Sequence, residues 1–451
     1  MTPGARIEAA IDLLGKIEAA HQPAERIVGT YMRGHRYIGA KDRRAISDRV
    51  YGVLRRRARL DWWLTRVGLG PGDGLDHPRR SVLAVLALAD GLGADGLGIA
   101  EVAALCDGSR YHPAPLSADE HAALVRLAGE NLDHPEQPAA VRAEVPGWLY
   151  PDLAETFGEL AEAEFAALAD EAPVDLRINR LKGDRAAAQA ALAEEGVAAV
   201  PTPISPIGLR LAGRPNLSAM RAFREGLVEL QDEGSQIVAL FADARPGLAV
   251  ADVCAGAGGK TLALAAEMGG CGRLVALDVD AARLQRAVPR LRRAGADAFV
   301  ECRRLDDAAW LTAHADSFDR VLVDAPCSGS GAWRRQPDAR WNLTPDDLAR
   351  YLEMQSEAID IGGKLVQPGG RLIYATCSLL AAENARQIEA FLARRPDFAI
   401  APAPAVWAET LASQGAPPTP PVDGPYLFLT PSRHGCDGFF AAVMERHGGA
   451  A

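Results

Sequence analysis

After Gly247 the chain settles into a rhythm that few folds accommodate: short apolar runs alternating with helix-forming stretches. LAVADVCAG, GRLVALDVD, AFVECRRL, FDRVLVDAP and GGRLIYATCS are five such runs, rich in Val, Leu and Ile. Strands this apolar are buried on both faces. The alternation therefore predicts an α/β fold, a doubly wound parallel sheet covered by helices, with ligands bound beyond the carboxyl ends of its strands. One connecting helix carries its own punctuation: Thr344 as N-cap, Pro345 in the first turn, Asp346 and Asp347 at the positive end, and Pro368-Gly369-Gly370 as the stop. The Pro-rich stretch from Pro402 to Pro425 reads as a surface loop, and FLTPSRHGCDGFFAAVMER as a final hairpin whose last strand is GFFAAVM.

Upstream the pattern differs, and 451 residues are too many for one ordinary core. Residues 1–135 read as helices. Ile7, Ile11, Leu14 and Ile17 recur at helical spacing, as do Ile46, Val50, Val53 and Leu54, and Val82, Val85, Leu86 and Ala89 share a face that Gly91, Gly93 and Gly96 end. HPEQP, His134 to Pro138, is a turn-rich boundary. Residues 145–240 mix types: DLRINR, GLRL and LVEL as strands, and DRAAAQAALAEEG as a helix with a glycine stop. That span is expected to be a small α+β module, leaving 241–451 for the α/β domain.

Composition excludes several classes. Hydrophobic residues at 48% and charged residues at 24% suit a globular chain rather than a disordered one. No apolar run approaches the roughly 18 residues that span a bilayer, and the start lacks a signal pattern, so a cytoplasmic protein is expected. The seven cysteines are scattered with no Cys-x-x-Cys pair, which argues against a disulfide framework and a zinc site. The net charge of -10 is awkward for a polyanion partner, but placement matters more than the total. Between Tyr31 and Arg66, eleven Lys and Arg face only Asp42, Asp48 and Asp61, a net of +8. A solvated helix face is the bland alternative to a polyanion site. A second arginine set runs from Arg283 to Arg304.

Three motifs carry chemistry. DVCAGAGGKT, Asp252 to Thr261, joins a strand to a helix through glycines that let a ligand approach the backbone and a helix start with free N–H groups. It nearly matches a P-loop, but the first P-loop glycine is replaced by Cys254. Asp278 closes the next strand, where an acid accepts from ribose hydroxyls or merely caps the following helix. Arg283 is placed to pair with a ligand carboxylate, or with Asp278 or Asp280. DAPCSGSG and YATCSLL each set a cysteine, Cys327 and Cys377, just past a strand's carboxyl end. A lone cysteine is usually a small buried hydrophobe. Two on one rim suit a reaction that needs a sulfur nucleophile and a tolerable leaving group, such as thiolate addition to carbon 6 of cytosine.

Together, DVCAGAGGKT, ALDVDAARL, VLVDAPCSGSG, WRRQPDARW, LIYATCSLLAAEN and the RHGCDGFF ending resemble the ordered motifs of the Sun/Nop family of RNA cytosine-5 methyltransferases, RsmB-like members in particular. LVELQDEGSQ resembles the segment before the family's cofactor turn, and AKDRRAISDRVYGVLRRRARLDWWL is similar to the NusB-like RNA-binding domain of RsmB-like members. The resemblance implies a Rossmann-like class I methyltransferase sheet, preceded by an all-α RNA-binding domain and a small RRM-like module. It implies S-adenosylmethionine as cofactor, held by Cys254, Ala255, Gly256, Ala257, Gly258, Gly259 and Lys260, with Asp278 on its ribose and Arg283, Asp306 and Asp324 nearby. It implies Cys377 as nucleophile and Cys327 as the thiol that assists breakdown of the covalent adduct. Asp324 is implied as the acid touching the cytosine ring, and Lys260 as lying between cofactor and base. Two positions depart from the family: Ala257 stands where proline is common, and the third run ends Arg303-Arg304-Leu305-Asp306-Asp307 rather than in Gly-Asp, with Asp306 preferred over Asp307.

The expected partner is RNA, ribosomal before transfer RNA, bound by a monomer without metal or membrane. The rivals are a non-catalytic RNA-binding or ribosome-assembly factor, against which the intact Cys327, Cys377, Lys260 and Asp324 speak, and a DNA cytosine methyltransferase, which by resemblance would lack the Thr-Cys thiol.

Overall fold

The computed structural model describes residues 1–20, 22–70, 76–88 and 96–448. Ala89, Gly91 and Gly93 of the expected helix end lie outside the described residues. The chain divides into two compact units, one of residues 1–171 with 333–343, the other of 172–332 with 344–451.

The first unit is helical. Its main helices are Pro3–Ala19, Ala24–Gly34, Ala40–Arg55, Arg57–Arg66 and His77–Ala87. Ile7, Leu14, Ile17, Ile46, Val50, Val53 and Leu54 are buried in one core, as their spacing predicts. Helical packing continues past HPEQP: residues 145–171 are largely helical and cluster with this unit, and the first strand after them begins at Asp175. WRRQPDARWNL, expected in the α/β domain, also belongs to this unit. Its Trp333 is fully buried, and Arg340 donates from Nη1 to the Glu144 carbonyl (2.9 Å) and from Nη2 to the Leu168 carbonyl (2.9 Å).

The same packing redraws the basic segment. Acids from elsewhere in the unit neutralise much of it. Arg59 pairs with Glu144 (2.8 Å) and Asp133 (2.6 Å), Arg66 with Glu136 (2.5 Å), and Arg55 lies 3.9 Å from Glu171. Arg33, Arg36 and Lys41 are exposed cations around the turn between the second and third helices, and the exposed Arg44 lies 3.8 Å from Asp48.

The second unit holds thirteen described strands: β1 (Asp175–Ile178), β2 (Ala199–Pro201), β3 (Gly208–Leu211), β4 (Val228–Leu230), β5 (Ala249–Val253), β6 (Arg273–Asp278), β7 (Val300–Arg304), β8 (Phe318–Asp324), β9 (Val366–Thr376), β10 (Phe398–Ala401), β11 (Val422–Asp423), β12 (Tyr426–Leu429) and β13 (Phe439–Arg446). The first four form an antiparallel sheet in the order β2-β3-β1-β4. The second sheet runs β11-β12-β13-β9-β8-β5-β6-β7, with β10 on β13. Strands β7, β6, β5, β8 and β9 are parallel and correspond to the five predicted runs; β13 adds antiparallel to β9 and pairs with β12 as the final hairpin. The chain moves outward from β5 to β7, then returns to the other side of β5 at β8. That reversal makes the β5/β8 boundary the switch point, where parallel sheets open a crevice.

The two sheets share one core, which includes Leu176, Leu209, Val250, Leu322 and Ile373. Buried polar groups of LVELQDEGSQ stitch them together. Arg177 donates to Gln231 (2.6 Å) and to the Leu262 carbonyl (3.3 Å), and Gln231 donates to the Gly259 carbonyl (3.4 Å).

Two expectations are corrected. The span from Pro402 to Pro425 is not a loop throughout: Ala403–Thr410 is a helix and β11 follows. Pro402 and Pro404 sit at the helix start, where proline is tolerated, while Ala403, Val406, Trp407 and Leu411 bury one face. The helix capped by Thr344 ends at Leu365, before Pro368-Gly369-Gly370, which lie within β9.

Candidate active site

Three parallel strands deliver the site, because their carboxyl ends lie on one edge. β5 leads into Cys254–Gly258, β8 ends at Asp324 and continues to Cys327, and β9 ends immediately before Cys377. Since β9, β8 and β5 are neighbours, residues far apart in the chain converge. The Cys327 and Cys377 sulfurs are 3.5 Å apart. The ammonium of Lys260, first turn of the helix Gly259–Glu267, lies 2.7 Å from Asp324 Oδ1 and 5.3 Å from the centroid of the Phe439 ring.

Electrostatics sorts these groups. Burial works to lower the Lys260 pKa, but the Asp324 charge and hydrogen bond outweigh it, with Cys377 contributing in the same direction, so the ammonium is held above its ordinary value. The Lys260 side chain is 8% exposed and that of Asp324 31%, so Asp324 is the member of the pair open to a ligand. The Cys327 thiol is pushed well up by its hydrogen bond with Cys377 and by burial. Cys327 therefore keeps its proton.

The loop after β5 has the form of a ligand cradle. Gly256 (φ 58°) and Gly258 (φ 79°) take left-handed backbone, and so does Cys254 (φ 66°), a conformation uncommon for a non-glycine residue. No atom lies within 4 Å of where a Gly259 side chain would start, so the loop faces open space. Arg290 braces it by donating to the Ala257 carbonyl (2.6 Å). Asp278, almost fully buried, accepts from Gly256 N–H through Oδ2 and from Asp280 N–H through Oδ1, both at 2.8 Å. Each oxygen keeps lone-pair capacity for a hydroxyl, so the residues fit a nucleoside ligand. Burial, and then the neighbouring acids, raise the pKa of the Cys254 thiol far above that of a free thiol.

The remaining predicted residues are less engaged. Arg283 is exposed and lies 3.7 Å from Asp280, not beside Asp278. Asp306 is exposed and paired with Arg304, while Asp307 caps the next helix by accepting from Trp310 N–H (3.0 Å).

Sequence reasoning missed what holds the thiols. Ser328 and Ser378 follow the two cysteines, and both donate hydroxyls to the buried Glu383. The signal was present in the paired Cys-Ser dipeptides. Gly331 was also passed over. A side chain there would begin 2.2 Å from the Gly438 carbonyl, and its N–H donates to the Cys377 carbonyl (2.9 Å). Glycine at 331 and at 438, in RHGCDGFF, allows this close approach. Among the described residues no group of three His, Cys, Asp or Glu is arranged to hold a metal ion, and no helix is long and apolar enough to cross a membrane.

Comparison with known proteins agrees with this geometry. Residues 239–445 match the model of the 16S rRNA methyltransferase RsmB/F family, and residues 145–218 match the RsmF/B-like ferredoxin-like domain. The chain is 34% identical over 412 residues to ribosomal RNA small subunit methyltransferase B of Xanthomonas campestris, covering 90% of this chain and 89% of that one. It is 37% identical over 363 residues to the protein of that name from Xylella fastidiosa, covering 79% and 83%. The crystal structure of PH0851 superposes with a TM-score of 0.75 at 26% identity over 99% of both chains. With its fold, its two-thiol rim and its full-length relatives in agreement, the chain belongs to the RsmB/F family of ribosomal RNA methyltransferases.

Proposed function

We propose that this enzyme methylates carbon 5 of a cytosine in small-subunit ribosomal RNA, using S-adenosylmethionine, with Cys377 as the nucleophile. One observation carries the reading: two sulfurs 3.5 Å apart on the rim of the switch-point crevice, beside the Lys260–Asp324 pair. In this reading the enzyme is a cytoplasmic monomer.

Carbon 5 of cytosine is a poor nucleophile. Addition of the Cys377 thiolate to carbon 6 makes the ring enamine-like, and Cys327 stands beside it as the second thiol. S-adenosylmethionine, when bound, supplies an electrophilic methyl group. Cys254 to Lys260 and Asp278 are the residues that would hold it. Asp324 meets ring nitrogen 3 and shares a proton there, while Lys260 keeps Asp324 oriented from the buried side. Once carbon 5 carries the methyl group, solvent takes its proton, the freed C–H electron pair re-forms the 5,6 double bond, and the carbon 6–sulfur bond breaks with its electrons on Cys377. Cys327 stands within hydrogen-bond reach of the departing Cys377 sulfur and assists that step. The balance is one methyl gained and one proton released. Flipping a paired base costs a few kcal/mol, which favours an unpaired or loop cytosine.

Bisulfite sequencing of total RNA from a strain lacking the gene tests this. One methylcytosine should be missing from small-subunit ribosomal RNA, restored by the wild-type gene and not by Cys377→Ala. A methylcytosine missing from transfer RNA instead would move the substrate; none missing would overturn the reading.

A further inference from the structure

Glu383 is fully buried in a short turn six residues after Cys377, and its carboxylate gathers four donors from three segments. Oε1 accepts from the Ser328 N–H (2.8 Å) and the Gln355 amide (2.9 Å), and Oε2 from the Ser328 hydroxyl (2.5 Å) and the Ser378 hydroxyl. Ser328 directly follows Cys327, and Ser378 directly follows Cys377. One side chain thus grips the loop after β8 and the loop after β9 at the residue next to each sulfur.

The surrounding bonds lock that grip. The Gln355 amide also reaches the Pro326 carbonyl (2.9 Å), and the Ser330 hydroxyl lies 3.1 Å from Ser378 Oγ. Tyr374 donates its hydroxyl to the Glu383 carbonyl (2.7 Å), and Asn384 donates its amide to the Ser378 carbonyl (2.9 Å). A buried carboxylate is costly unless fully hydrogen-bonded, and a satisfied buried network rigidifies what it joins.

We propose that Glu383 is a positioning residue: it hitches both cysteine loops to one carboxylate and so fixes the sulfur-to-sulfur gap on which breakdown of the covalent adduct depends. The proposal rests on the two-thiol reading above. The Glu383 charge also adds to the forces that keep Cys327 protonated, behind those from Cys377 and burial. A displacement of about 1 Å between reacting groups costs on the order of a hundredfold in rate, so a modest slackening of the clasp is enough to matter.

Full-length wild type, Glu383→Ala and Glu383→Gln are compared in two assays. The first needs no RNA: the Cys327–Cys377 disulfide is quantified by mass spectrometry across a reduced/oxidised glutathione series. The second follows the covalent RNA–protein adduct on denaturing gels with S-adenosylmethionine and ribosomal RNA. Glu383→Ala should lower the disulfide equilibrium constant by about tenfold or more and leave the adduct unresolved. Glu383→Gln accepts from Ser328 N–H and Gln355 through its oxygen while its amide donates to the two hydroxyls, so it should restore both readouts to within about fivefold of wild type. A folded Glu383→Ala that matches wild type in both assays overturns the clasp, and so does a Glu383→Gln as defective as Glu383→Ala. If Glu383→Ala does not fold, Ser328→Ala and Ser378→Ala are held to the same thresholds. Should wild type leave the RNA unmethylated while the disulfide assay still separates alanine from wild type, the methylation reading falls and the clasp stands.

Discussion

Removing the Cys327 thiol should convert the enzyme into one that traps its own product. The Cys327 sulfur touches the Cys377 sulfur at 3.5 Å and keeps its proton, so it is placed to hand a hydrogen bond or a proton to the sulfur leaving carbon 6. A positioned acid–base group contributes about 10²–10⁴ in rate, or about 3–5 kcal/mol of barrier. Attack by Cys377 and the Lys260–Asp324 pair are untouched by Cys327→Ala. The first methyl transfer should therefore stay within about tenfold of wild type while adduct breakdown slows by about 10²–10⁴. Single-turnover quench experiments with labelled S-adenosylmethionine separate the two steps, since label bound to RNA reports transfer and a shifted protein band reports the adduct. A Cys327→Ala enzyme that turns over repeatedly with no shifted band, together with an active Cys377→Ala, would reverse the assignment of the two sulfurs.

Two pH dependences follow from buried groups. Burial raises Asp252, whose Oδ2 accepts from Thr261 (2.5 Å), to a pKa of about 7. The unfolded chain ionises near pH 4 while the folded one stays protonated, so this group withdraws about 4 kcal/mol of stability between pH 4 and pH 7, constant above that. Asp252→Asn should lack that drop in urea midpoint between pH 4 and pH 8; parallel profiles for the two proteins would refute it. In the helical unit, hydrogen bonds to Asp61 (2.8 Å) and Glu18 (2.7 Å) raise His77 to about 9. Its contribution is fully present below about pH 6.5 and lost as pH rises through 9, about 1–2 kcal/mol after solvent screening. His77→Gln should therefore cost stability at pH 6 and little at pH 10, read from thermal melts.

What was legible in the sequence was whatever depends on near neighbours. The parallel strands announced themselves because each is a short apolar run, and Thr344 because a capping hydroxyl acts within its own turn. The net charge of the basic segment was read incompletely for the same reason. Counting along the chain gives +8, but Glu144, Asp133 and Glu136, which pair with its arginines, arrive from 70–85 residues downstream. The Pro402–Pro425 span misled because prolines at a helix start resemble a loop until Trp407 finds its core. Glu383 was invisible because a glutamate beside an asparagine reads as surface, and its partner Ser328 lies 55 residues away.

The pairing of the two thiols lies between these cases. That Cys327 and Cys377 sit on one rim follows from a rule of parallel sheets, which put every strand's carboxyl end on the same edge. That they touch does not follow, because it requires β8 and β9 to be adjacent, and strand order is decided by which helices cover which face. Had β9 been laid beyond β7, the same motifs would have placed the sulfurs on opposite sides of the cofactor crevice. Adjacency brings the loops within reach, and the serines that follow each cysteine then give one buried carboxylate something to hold on both sides. The chemistry is thus specified at two ranges: local motifs choose the groups, and sheet order together with Glu383 sets their separation.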